Sequence, residues 1–250
     1  MRALGDAFTP ADAPEPTHSA GRAGEGRQLD ELLAPALQSA GYRRVDELTY
    51  LANFSTVDVE HTLTFNLSGQ SRTWVSGDAA LSNAPAATFA QQSYERYANP
   101  MMLSTLRQSG YVDPPWFRPM RFSIGMICDW GRLCALDVRR FSPAELGVTM
   151  AEAVRTKLVP YVGPITTRET LLDFLKRDEE PMRWFRVRAL FRAAMIAYLS
   201  RWLDVPRELT IARLLERAVF LETDLRNTAL SPEEFADRVL DDAAAALAPP

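Results

Sequence analysis

At 250 residues, with 47% apolar and 24% charged side chains, the chain is long enough for one large core and has the balance of a folded domain, not of a disordered or fibrous one. Its formal net charge of −4 opposes a general affinity for nucleic acid, because phosphate binding draws its strength from a basic surface. Histidine chemistry is poorly supplied as well, since His18 and His61 are the only two.

Residues 1–27 carry Pro10, Pro14, Pro16, Gly21, Gly24 and Gly26 and few large apolar groups, so they bury too little to offset their ordering entropy and are expected to form a disordered tail. No apolar stretch of a secretory signal is visible there, and a cytoplasmic location is expected. Leu29, Leu32, Leu33 and Leu37 then recur at helical spacing, predicting a helix over 28–40 that Pro35 bends and Gly41 ends.

The clearest pattern runs from Val57 to Leu67, where Val57, Val59, His61, Leu63, Phe65 and Leu67 alternate with Asp58, Glu60, Thr62, Thr64 and Asn66. Alternation of this length predicts a strand with one buried and one wet face. Leu48 to Phe54 is expected to pair with it as a hairpin. Ala87 to Gln108 reads as a helix broken near Asn99-Pro100, followed by the Pro-rich loop Asp113 to Pro119.

Phe122 to Cys128 and Leu133 to Arg140 are expected to form a second hairpin through Trp130-Gly131. A four-residue loop there sends Cys128 and Cys134 to opposite faces, which argues against a disulfide and suits a reducing compartment. Ser142-Pro143-Ala144-Glu145 is a capping-box pattern; the helix it opens is weakened at Gly147-Val148, is expected to restart at Thr149, and closes between Pro160 and Pro164.

From Thr166 onward helices are predicted from Thr167 to Lys176, Trp184 to Leu203, Glu208 to Glu222, and from Ser231 into an Ala-rich run. The longest apolar run, Ala189 to Leu203, is interrupted by Arg192 and Arg201 and is too short to cross a bilayer, so no membrane partner is expected. Strands early and helices late predict an α+β fold: an antiparallel sheet of about four strands with helices on one face over 28–165, and a C-terminal helical extension, 166–250, packed on it.

Motifs of known chemistry are missing from the chain. Paired Cys or His residues at zinc spacing, a Gly-x-Ser-x-Gly elbow, and a phosphate-cradling glycine loop with its lysine do not occur, so no catalytic residue, cofactor or metal is assigned. His61 reads as a core histidine, and Cys128 and Cys134 as structural cysteines. Arg183, Arg186, Arg188, Arg192 and Arg201 spread round their helix instead of forming a stripe, and are expected to pair with Asp173, Asp178 to Glu180 and the acidic last helix. Two sets of side chains remain as site candidates. Asp58, Glu60, Asp137 and Arg139 on the polar face would serve an enzyme if a pocket gathered them. Trp74, Trp116, Phe117, Arg118 and Trp130, in expected loops, have the chemistry of a protein-binding surface.

A helix running into Ala40-Gly41-Tyr42-Arg43-Arg44, the hairpin with Val57 to Leu67, the Gly131-Arg132-Leu133 hairpin, and Lys157-Leu-Val-Pro-Tyr161 ahead of Thr167-Arg-Glu-Thr-Leu-Leu172 together resemble a bacterial family known as domain of unknown function 4304, over residues 29–176. Against that pattern, Gly69 to Ala86 is an insertion. The resemblance implies a small bacterial α+β protein and carries over no catalytic residues. The expected role is macromolecular binding, with immunity-type inhibition of a toxin as its form. The other expectation is an enzyme built on the dispersed polar set.

Overall fold

The computed structural model describes residues 21–68, 74–101, 103–104, 120–131, 134–177, 189–216, 218–226 and 228–248. Its first element is α1 (Gly21–Ser39), which begins ahead of the expected start and keeps Pro35 inside it. The last residues of the expected disordered tail are therefore helical, and the rest of that tail lies outside the described residues. Leu29, Leu33 and Leu37 repeat every four residues and are buried. Asp30, on the same helix, is 1% exposed, and sequence reading did not single it out. Its carboxylate takes the Arg44 guanidinium at 2.5 Å, the Leu48 N–H at 3.1 Å and the Tyr50 hydroxyl, pinning the helix to the first strand pair.

Gly41, at φ 90°, ends the helix in the left-handed region as expected and admits β1 (Tyr42–Asp46), a strand that the sequence pattern did not announce. It pairs with β2 (Thr49–Ala52), which pairs with β3 (Glu60–Ser68). The expected strand from Val57 starts later, because residues 56–59 close on themselves: the Thr56 N–H donates to the Val59 carbonyl and the Val59 N–H to Thr56 Oγ1. Val57 is left 99% exposed.

Next comes β4 (Trp74–Ser82), in the stretch set aside as an insertion, paired with β3 over its whole length from Glu60↔Ser82 to Ser68↔Trp74. Its inward residues are Val75, Gly77, Ala79 and Leu81, and the two small ones hide the alternation. Gly77 sits opposite Phe65, and a Cβ there would lie 2.7 Å from the Phe65 ring. Helix α2 (Ala84–Tyr97) follows, capped by Asn83, and stops short of Asn99-Pro100 as predicted.

The second hairpin is overturned. β5 (Met120–Ser123) and β6 (Ala135–Asp137) do not pair with each other. Both run antiparallel to β4, β5 along Asp78 to Leu81 and β6 along Trp74 to Ser76, so they are two segments of one edge strand heading the same way. The intervening residues leave the sheet opposite Gly77 as a single turn, α3 (Ile124–Ile127), and a loop that winds back. Asp129, Gly131 and Cys134 all have positive φ, and the Trp130 N–H donates to the Gly125 carbonyl at 2.7 Å. This path cannot be a two-stranded ribbon, so facing rules for a hairpin do not apply to the cysteines; both are free thiols, Cys128 buried and Cys134 half-buried.

Beyond β6, a 3₁₀ turn (Val138–Arg140) leads to α4 (Pro143–Ala153), which carries the expected capping box from Ser142 and Glu145. It does not restart at Thr149. Gly147 stays within it because the Leu32 carbonyl would be 3.0 Å from any Cβ there, so the glycine serves the close packing of α1 on α4. A π-helical turn (Val154–Leu158) links α4 to α5 (Val159–Val162), with the Val159 N–H reaching back to the Val154 carbonyl. Pro160, which has no N–H to donate, follows at once.

The helical part comprises α6 (Arg168–Lys176), α7 (Ala189–Trp202), α8 (Arg207–Leu215), α9 (Ala218–Leu225) and α10 (Pro232–Leu247). The single helix expected over 208–222 is thus two. α7 is buried nearly all round and is packed by α2, α6, α8, α9 and α10, with Tyr94 of α2 stacked on Phe191 at 4.2 Å. The fold is α+β as predicted, although its sheet has six strands, in the order β1-β2-β3-β4-β5 with β6 also on β4. Tyr42, Tyr50, Leu63, Phe65, Val75 and Leu81 on one sheet face share a continuous core with the helices, including α7 and α10. The other face is polar but not uniformly wet, since Thr62 and Ala80 on it are buried.

Candidate interaction surface

The two polar pairs proposed from sequence are held apart by the sheet register. Glu60 faces Ser82 at one end of β4, whereas Asp137 faces Trp74 at the other. At roughly 3.3 Å per residue that spacing is on the order of 26 Å. Asp137 is bound within its own segment: Arg139 donates to it through Nε at 2.9 Å, Nη2 at 2.8 Å and the backbone N–H at 3.1 Å. Hydrogen bonds from the Arg139 side chain bring the Asp137 carboxyl down to about 2. The pair therefore fixes the entry to a 3₁₀ turn, with the Asp137 carboxylate engaged by its own segment.

Asp58 is not on the strand. It sits in the turn before β3 and meets Arg168, in the first turn of α6, at 2.8 Å. That turn and the start of β3 are clasped to residues 165–168 by two further bonds, from Thr56 Oγ1 to the Thr166 carbonyl and from His61 Nε2 to the Ile165 carbonyl, each 2.6 Å. Asn83 adds a bond from Nδ2 to the Asp58 carbonyl at 2.8 Å. His61 is a core histidine, as predicted, with Phe54 edge-on at 4.9 Å. Its Nδ1 meets no hydrogen-bond partner among the described residues, and burial pushes its pKa below the ordinary histidine value.

The aromatic candidates separate. Trp116, Phe117 and Arg118 lie outside the described residues. Trp74 is half-buried at the start of β4. Trp130 is 9% exposed, a corner of the core and not a loop-tip contact, because the excursion between β5 and β6 folds it inward. The Cys128 thiol donates to the Ala153 carbonyl at 3.5 Å, and burial pushes it up to about 11, which leaves it in the inert thiol form.

Sequence reading missed the arrangement with the strongest surface chemistry. The Arg168 guanidinium, already paired with Asp58, lies over the Trp202 ring at 4.0 Å from its centroid. Trp202 ends α7 and remains 40% exposed, while the Arg168 and Asp58 side chains are 28% and 30% exposed. Behind Trp202, Tyr198 at 6.0 Å and then Phe89 at 5.2 Å carry the aromatic line into the core. Residues from three distant segments make this cluster, so no local motif marks it. No family model, no curated protein and no solved structure matches the chain. Its resemblance to family 4304 rests on residue pattern alone.

Two of the arginines expected to pair with acids, Arg192 and Arg201, lie on the described residues of α7. Arg192 bonds the Leu175 and Arg177 carbonyls at the end of α6, and Arg201 reaches Asp204 at 4.0 Å. Acids of α10 are bound instead by Arg207, from α8, and Arg96, from α2. Arg183, Arg186 and Arg188 lie outside the described residues. Among the described residues no helix is long and apolar enough to cross a membrane, and no group of three His, Cys, Asp or Glu side chains could hold a metal ion.

Proposed function

We propose that this chain works by binding another protein, in a bacterial cytoplasm, with immunity-type inhibition of a toxin as the form of that role. One observation carries the reading: an exposed tryptophan with an arginine stacked on it, both held in place before any partner arrives. Tryptophan and arginine dominate the energetics of protein interfaces. A cation–π contact here contributes roughly 0.5–2 kcal/mol of local order. Asp58 and the clasped 56–59 turn hold Arg168 from the other side. Little side-chain entropy is then left to lose on docking, which is where preorganised surfaces gain affinity.

The enzymatic reading has no common pocket to rest on, with Glu60 and Asp137 at opposite ends of the sheet and Asp58 and Asp137 each committed to an arginine. The test uses the full chain and its Trp202→Ala variant as baits in native-host lysate at low salt, after circular dichroism has shown equal folding. A protein retained by the wild type and lost by the variant is expected. Identical captured sets from the two baits would remove the reading.

A further inference from the structure

The charges round Trp202 specify what kind of protein would dock. On one flank the chain turns at Asp204, whose side chain is almost fully exposed, and continues through Arg207 and the exposed Glu208. Arg207 is shared between Asp237 at 3.0 Å and Asp241 at 2.8 Å, so its single positive charge meets two negative ones. On the other flank, Glu60 and Glu169 are exposed and make no ion pair among the described residues. The local arginines are occupied, Arg168 by Asp58, Arg201 by Asp204 and Arg207 by its two aspartates. What remains for an arriving molecule is a negative field round the exposed Trp202.

We infer that this surface takes a basic protein partner, one that sets an apolar side chain against Trp202 and lays lysine or arginine side chains along both acidic flanks. The inference rests on the protein-binding reading above and supplies the partner's chemistry. A phosphate-bearing partner is repelled by the same field that attracts a basic one. Exposed acids act over about 10 Å at 0.1 M salt, enough to steer a basic surface, and their effect fades as salt rises.

The experiment titrates the full chain with a blocked peptide of alternating lysine and leucine, its glutamate–leucine counterpart, and spermine as a source of charge alone. The indole N–H resonance of Trp202, assigned by its loss in Trp202→Phe, is the readout. The lysine peptide is expected to shift it with an affinity that falls about tenfold between 0.05 and 0.3 M salt. The double variant Asp204→Lys/Glu208→Lys is expected to lose the response. An unmoved Trp202 resonance, an equal response to the glutamate peptide, a response to spermine as strong as to the peptide, or full affinity in the double variant would each overturn the inference. Should a Trp202-dependent partner be captured equally well by the double variant, the platform stands and only the basic partner falls.

Discussion

His61 is neutral in the fold because protonation would place a charge between the Phe54 ring and a strand row with no counter-ion beside it. In the unfolded chain it titrates near pH 6.5. Since its native pKa is lowered, the stability it allows is fully present above that value and is lost as pH falls below it, levelling off only under the native pKa. The slope is at most about 1.4 kcal/mol per pH unit. Urea midpoints measured between pH 7.5 and 5 should fall on acidification, and His61→Gln, which keeps a donor for the Ile165 carbonyl, should flatten that fall. A slope unchanged in the variant would assign the effect to other groups. The histidine's place on an apolar face was visible in the alternation of residues 57–67. Its partner, more than a hundred residues away, was not.

Element formation is most legible where a side chain acts on its own backbone. The capping box at Ser142, the helix starts at Thr167 and Ser231 and the Gly41 turn were all read from neighbouring residues, and each stands in the fold. Elements shaped by a distant surface were not. β4 was hidden because Gly77 and Ala79 occupy inward positions where a strand signal expects large side chains, and at Gly77 the space is filled by Phe65 and Ile124. Gly77→Ala should therefore destabilise the fold by about 1–3 kcal/mol in urea unfolding. Phe65→Leu in the same background should cost less than the two changes summed, because the ring is what the added methyl meets. Strict additivity would show that Gly77 matters for its backbone alone. The false hairpin has the same origin. Two apolar runs round Trp130-Gly131 satisfy the local rule for a ribbon, whereas β4 offers both of them one longer edge.

For the whole molecule, the sheet and the C-terminal helices share one core. α2, which continues directly from β4, lies on α7, and a continuous set of buried side chains runs from Leu29 to Ala243. Sheet and helices should lose structure together. Urea transitions followed by far-ultraviolet circular dichroism and by tryptophan fluorescence are expected to coincide, and two separated midpoints would show independent units. The candidate surface belongs to this scale as well. Asp58, Arg168 and Trp202 meet only because the 56–59 turn, α6 and the end of α7 are packed against one another, so sequence spacing held no trace of them.

The interrupted strand formed by β5 and β6 governs how the sheet behaves in a crowded solution. A foreign chain seeking to extend the ladder needs a straight run of free amides and carbonyls, and on this side the run is broken between Ser123 and Ala135, where residues 124–131 leave the sheet. The opposite border is only five residues long, carries Arg43 and Arg44, and slips register before Asp46. Among the described residues, both borders are thus short or interrupted, which limits the template that the six strands offer for fibre growth.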